Sequence, residues 1–288
     1  MNWEDDKDKI TQRYFQAINE NNIQLFGIIK ENLSEITPIL PLIEFVLSRL
    51  ESVTTLVLDN RIWDAEIILR SALETFTKFL FITTADKEEQ IVRINEYWNS
   101  LAEISSIKQS AQAKRNLEHF GNSEIHRLAY LPMVLPDNIE AELRKKWTKS
   151  ERQKVEQKWS FTEMILSISK NYRGKPFEVI IALTHSYRMS SHVMHGDETG
   201  ISIIREREGR SKENYEIAMN GHYLRLLSDS FIYCAFIAIE TMDFLNLKEN
   251  KKFFFENQKS LDDIQELVQK YHGKVFEDPD YDKYKTKK

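Results

Sequence analysis

Cysteine occurs once in the 288 residues, which excludes an intrachain disulfide and any zinc site built from cysteines. Glycine and proline are also scarce, with 8 and 6 residues, too few for a turn-rich β architecture, and this favours an all-α fold. Long hydrophobic runs are missing. The longest, Phe231 to Ile239, has nine residues, whereas a helix that spans a bilayer takes about 20, so no membrane association is expected. Cys234 lies inside that run and reads as a buried, inert thiol. The amino-terminal stretch Met1 to Lys9 is charged and has no apolar segment of the kind a signal peptide carries, which points to a soluble, cytoplasmic protein. A net charge of −5 argues against wholesale attraction to nucleic acid or anionic lipid and leaves room only for a local basic patch.

What is present suits a helical globule: 41% hydrophobic residues against 30% charged. Apolar residues recur at three- and four-residue steps over about 5–36, 38–58, 61–84, 87–118, 160–172 and 215–246, with one or two short helices at 250–271. The 87–118 helix is expected to bury Ile91, Ile94, Trp98, Leu101 and Ile104. Residues 119–138, with Gly121, Pro132 and Pro136, read as a loop insertion in which His119 and His126 are structural. Arg173 to Pro176 reads as a turn, Ile201 to Ile204 as a candidate β segment, Arg205 to Asn214 as a charged loop, and 273–288 as an unstructured tail. This divides the chain into an N-terminal extension (1–37), a central bundle (38–246) and C-terminal helices with a charged tail (247–288).

The chemistry concentrates in a helix expected over about 176–196. His185, Arg188, His192 and His195 follow each other at steps of three, four and three, which places them in one stripe on its face. Tyr187, Ser191 and His195 form a second row. Upstream, Arg70 and Glu74 stand four apart in a strongly apolar helix, where charge is rarely buried unpaired; they read as a bracing pair or as an orienting partner of the stripe. A separate basic run, Arg144, Lys145, Lys146 and Lys149 with Trp147 interleaved, has the composition to track a phosphate backbone, or is a solvated face balanced by nearby acids.

Three kinds of chemistry fit the stripe. His185, His192, His195 and Asp197 are metal donors by type, but no His-Glu-x-x-His motif is present and Arg188 would place a positive charge among them. Metal-independent phosphoryl transfer on RNA needs less: a histidine as general acid or base, an arginine to clamp the phosphate, and the 2′-hydroxyl that RNA itself supplies. Arg188 and His195 lie about 10 Å apart along the helix axis, a gap that the arginine side chain and a second copy of the helix could close. The third alternative is a structural stripe buried at an interface.

Arg188 followed by six residues and His195 resembles the Arg-x(4–6)-His signature of the HEPN superfamily. More narrowly, Arg70-Ser-Ala-Leu-Glu74 with the downstream Tyr187-x3-Ser191-x3-His195-Gly196 resembles the bacterial family numbered 5677 among domains of unknown function. The resemblance covers roughly residues 40–245. It implies an all-α, HEPN-like helical bundle that forms a homodimer and acts as a cofactor-free endoribonuclease in bacterial stress response, toxin–antitoxin systems or phage defence. Arg188 would then bind the scissile phosphate and His195 would act as acid or base, with Tyr187, Ser191, His192, His185, Arg70 and Glu74 in support. The residue after the arginine, usually polar in catalytic members, is Met189 here. Inactive members serve as binding or antitoxin partners, which gives the alternative of a non-catalytic interaction module for a protein or RNA.

Overall fold

A computed structural model describes residues 3–120, 123–171, 178–247, 252–275 and 277, and every regular element among them is helical. Helix α1 (Trp3–Glu31) opens on Glu4, Asp5 and Asp6, where the helix dipole favours negative charge, and a single turn, α2 (Leu33–Ile36), comes after it. Pro41 sits in the first turn of α3 (Leu40–Leu58), where its missing N–H breaks no hydrogen bond. Asn60, at a φ of 57°, turns the chain so that α4 (Ile62–Thr83) runs back along α3 in the most extensive helix pairing of the fold. Ile43, Val46, Leu50, Val53 and Val57 of α3 are buried with Leu69, Leu73, Phe76 and Leu80 of α4, both at helical spacing.

Asp86 caps α5 (Lys87–Asn95) by accepting from the Glu89 N–H, and a π-helical turn, Glu96–Ser100, joins it to α6 (Leu101–Phe120). The π turn carries extra residues per turn and so rotates α6 about its axis relative to α5. Of the expected edge, Ile104 is buried and Ile94 and Leu101 pack half-buried against the core, but Ile91 is 70% exposed and Trp98 is exposed too, its indole N–H donating to the Pro38 carbonyl at 2.7 Å. Tyr97 and Glu96 turn inward against Trp159 instead.

The expected loop at 119–138 is largely helical: α7 (Glu124–Tyr130) and a 3-10 turn (Leu131–Met133) precede α8 (Asp137–Lys146). Ile125 and Leu128 of α7 face outward, so burial does not set its position; the His126 ring stacks on Phe120 at 5.0 Å. The basic stretch then breaks at Trp147, and Thr148 and Glu151 form a reciprocal capping box that starts α9 (Lys149–Lys158).

Helix α10 (Phe161–Asn171) precedes a 3-10 segment, Glu178–Ala182, and α11 (Leu183–His195). The central helix therefore begins later than its apolar lead-in suggested; the turn read at 173–176 and Phe177 lie outside the described residues. The β segment at 201–204 is corrected to α12 (Glu198–Glu208), which also takes in residues 205–208 of the expected loop and is started by the Asp197 side chain on the Gly200 N–H. This cap and the packing on α11 override the strand preference of Ile201, Ile203 and Ile204. Ser211 caps α13 (Lys212–Phe244), and α14 (Lys252–Lys259) and α15 (Asp262–Val275) complete the chain of helices. The helix at 262–275 enters the stretch expected as tail; residues 276 and 278–288 lie outside the described residues.

Helix α13 packs on α1, α3, α4 and α15, so Ile10 and Tyr14 from the first helix and Tyr271 from the last join the same core as Leu227 and Phe231. Cys234 is buried in it, and burial pushes its thiol up to about 12. Among the described residues no helix is long and apolar enough to cross a membrane. Helix α11 lies on the outer side of α4, against α10 and α12.

Candidate functional site

Gly196 ends α11 in the left-handed conformation (φ 58°), which glycine adopts without a Cβ penalty. The next residue, Asp197, is the N-cap of α12. Gly200 in the first turn of α12 rests on the backbone of α11: a Cβ there would lie 2.3 Å from the His192 carbonyl oxygen. The chain therefore folds back sharply just after the histidines.

Two rows of contacts pin α11 to α4. Arg70 donates from Nη2 to the Tyr187 hydroxyl at 2.9 Å, holds its guanidinium 4.6 Å over the Tyr187 ring, and brings Nη1 to 3.2 Å from the Met194 sulfur. The Tyr187 ring also stacks on Phe161 at 3.7 Å. Burial, with the Glu74 charge behind it, pushes the Tyr187 hydroxyl up against the opposing pull of Arg70. Glu74 lies 3.8 Å from Arg70 and 3.2 Å from Lys78, so both the bracing pair and the orienting contact exist, the second through Arg70.

The second row centres on Glu66, one turn before Arg70 and 4% exposed. Its carboxylate accepts from Ser190 of α11, from Arg225 of α13, and from His222 Nε2 at 2.9 Å. Burial alone would raise the acid, but the His222 hydrogen bond and the Arg225 charge outweigh it and hold Glu66 down at about 2. His222 is pushed below its usual range by burial first, then by the Arg225 and Arg207 charges, against the Glu66 bond. Asp229 takes the other side of Arg225 at 2.9 Å, and burial raises it to about 6. Ser190 is fully buried and faces a carboxylate, not an imidazole, so this Ser-Glu-His group is a structural lock and not a nucleophile.

Beside the lock lies a cavity of about 410 Å³ between α4, α11, α12, α13 and α15, walled by Trp63, Met189, Val193, Ile203 and Val275, with His185 and Arg207 among its polar lining. Met189, the residue expected to be polar in a catalytic chain, faces this apolar space.

The remaining stripe faces outward. On an ideal helix His185, Arg188, His192 and His195 fall within about 80° of arc. Arg188 and His195 are exposed, and with His185 they make no hydrogen bond or ion pair among the described residues. His192 is half-buried, its Nδ1 2.7 Å from Asp197 Oδ2, and Ser191 is half-buried beside it. The basic run sits elsewhere, at the end of α8, which packs against α6, with Lys149 at the start of α9. There Arg144 pairs with Glu140, and Lys146 and the Trp147 N–H are both held by Glu103; Lys145 and Lys149 are exposed. No group of three or more His, Cys, Asp or Glu among the described residues is placed to hold a metal ion.

Glu66, Ser190, His222, Arg225 and Asp229 were not singled out from the sequence. The signal was there for three of them: His222, Arg225 and Asp229 stand at steps of three and four on α13, the same spacing that marks α11. Comparison with protein-family models, with curated proteins and with solved structures finds no match to this chain.

Proposed function

We propose that the chain is a metal-independent endoribonuclease of the HEPN-like kind, with Arg188 on the scissile phosphate and His195 as general acid or base. The observation that supports this reading is the contrast along α11. One side is locked to α4 through Tyr187 and Ser190, while Arg188 and His195 stand exposed on the other, with no hydrogen-bond or ion-pair partner among the described residues. A rigid helix that presents an arginine and an imidazole to solvent has what phosphodiester cleavage asks of a protein: charge for the phosphate, a proton carrier, and fixed positions for both. A second reading, a non-catalytic helical module, draws on the 410 Å³ cavity, which is large enough for a small molecule and lies behind the stripe.

The test is incubation of purified wild type, Arg188→Ala and His195→Ala with total bacterial RNA in EDTA, with circular dichroism to verify folding. Cleavage by the wild type alone, leaving 2′,3′-cyclic phosphate ends, is expected. Folded wild type that cuts no RNA overturns the nuclease in favour of the binding module.

A further inference from the structure

We infer that His192 is a second catalytic residue of the cleavage proposed above, on which this inference rests, and that Asp197 is the residue that positions it. The carboxylate of Asp197 is fixed at both oxygens: Oδ1 accepts the Gly200 N–H at 3.0 Å and Oδ2 meets His192 Nδ1 at 2.7 Å. The Gly200 bond first and the His192 bond second hold this carboxyl below its usual range, so it is ionised and can only accept. Nδ1 must then carry the proton. In the neutral ring the lone pair is left on Nε2, the nitrogen that the carboxylate does not engage.

His192 lies four residues after Arg188 and three before His195, so its neighbours on the helix surface are about 5–6 Å away. That spacing lets two imidazoles flank one phosphate within a single copy of α11. The RNA 2′-hydroxyl gives its proton to His192 Nε2 as its oxygen bonds to phosphorus. The bond from phosphorus to the 5′-oxygen breaks, and the leaving oxygen takes a proton from the His195 imidazolium. Arg188 offsets charge on the non-bridging oxygens. One proton is taken and one given, and the products are a 2′,3′-cyclic phosphate and a 5′-hydroxyl.

Several other charged groups ride on the elements packed against α11: Glu66, Arg70, Glu74 and Lys78 on α4, Glu163 and Lys170 on α10, Glu198 and Arg205 on α12. Arg188 and His195 share its own helix. Asp197 is the group in contact with the His192 ring among the described residues. The competing account is that the His192–Asp197 bond only closes the turn between α11 and α12.

His192→Gln and Asp197→Ser separate the two. Serine caps a helix as well as aspartate does, so the turn is kept while the ring loses its carboxylate. Cleavage of one labelled single-stranded RNA in EDTA is measured from pH 5 to 9, with circular dichroism at each pH. His192→Gln is expected to lose about 10²- to 10⁴-fold in rate together with the acidic limb of the profile. Asp197→Ser is expected to lose less and to move that limb, and Asp197→Asn, which keeps an acceptor for Nδ1–H, to recover part of the rate. Long-range ¹H–¹⁵N spectra of the neutral ring should place the proton on Nδ1 in the wild type and on a mixture of both nitrogens in Asp197→Ser. If the wild type cuts RNA while folded His192→Gln and Asp197→Ser keep its rate and profile, the bond is a turn closure and the inference fails alone. If the wild type cuts none, the nuclease reading falls and this inference with it.

Discussion

His222 on α13 donates its Nε2–H to the Glu66 carboxylate on α4 at 2.9 Å, and the direction of that bond is dictated by charge. Glu66 is ionised and can only accept, so the proton is on Nε2, and Nδ1 is free to accept from Arg207 at 3.5 Å. With Ser190 and Arg225 on the same carboxylate, three helices meet at one buried acid. Removing one partner of such a group leaves the others buried and uncompensated, at a cost of about 3–5 kcal/mol. Glu66→Ala is accordingly expected to lose that much in urea unfolding. Glu74→Ala, whose pairs are 40% exposed at the acid, should lose about 1 kcal/mol or less. Equal losses for the two would remove Glu66 from the centre of the fold.

The contrast between Glu66 and Glu74 also shows where sequence reasoning reached its limit. Helix positions were set by apolar spacing wherever one face is buried, as in α3, α4 and α13. Spacing fails where burial does not decide: α7 exposes Ile125 and Leu128, α12 depends on its cap, and Ile91 and Trp98 stand exposed beside the edge that α5 and α6 bury. For the site, the α11 stripe and Arg70 were legible because like spacings repeat on one helix. Glu66 was not, since a single acid in an apolar run shows neither its depth nor its partners on other helices. Periodicity within one helix carries no distance between two.

Acid titration should expose the lock. A carboxylate lowered in the fold, as Glu66 is to about 2, gives stability that is complete above its ordinary value near 4.5 and is lost as pH falls toward 2. His222 is also lowered, so below 6.5 the unfolded chain binds the proton first and stability falls on acidification. Asp229 works in the opposite sense: raised to about 6, it favours the folded state as pH drops from 6 toward 3.8. Asp229→Asn removes this compensation, and its urea midpoint is expected to fall more steeply than that of the wild type between pH 6 and 4. Parallel curves would show that Asp229 titrates in the fold as it does in the unfolded chain.

Tyr187 offers a milder perturbation. Tyr187→Phe keeps the ring on Phe161 and under Arg70 but deletes the hydroxyl that accepts from the guanidinium. A hydrogen bond to a charged group is worth about 1.5–3 kcal/mol, and the loss in unfolding free energy should fall at the lower end because Arg70 keeps its other contacts. Arg70→Ala removes the ring contact as well and is expected to cost more. If α11 must be held still for RNA cleavage, both variants slow cleavage in proportion to their loss of contacts while Arg188 and His195 remain. A rate unchanged in folded Arg70→Ala would mean that the stripe does not depend on this brace.

Gly200 tests the fold-back that brings α12 onto the histidines. A methyl group at this position would lie 2.3 Å from the His192 carbonyl oxygen and 2.5 Å from its carbon, and backbone cannot swing aside as a long side chain can. Gly200→Ala must therefore push α12 outward, with an overpacking cost of about 1–3 kcal/mol. The same movement lengthens the 2.7 Å contact between Asp197 and His192, because the cap and the carboxylate travel with α12. Gly209, at the other end of α12, is the control: its added Cβ would meet the Arg205 carbonyl at 3.3 Å with φ in the ordinary helical range, and alanine there should change stability little. The measurement is the urea midpoint of each variant together with the His192 ring ¹⁵N shifts. Loss of stability with an altered ring signal in Gly200→Ala, and neither in Gly209→Ala, is the outcome that the close approach requires. An unperturbed His192 in Gly200→Ala would mean that the turn, and not the helix contact, sets the position of Asp197.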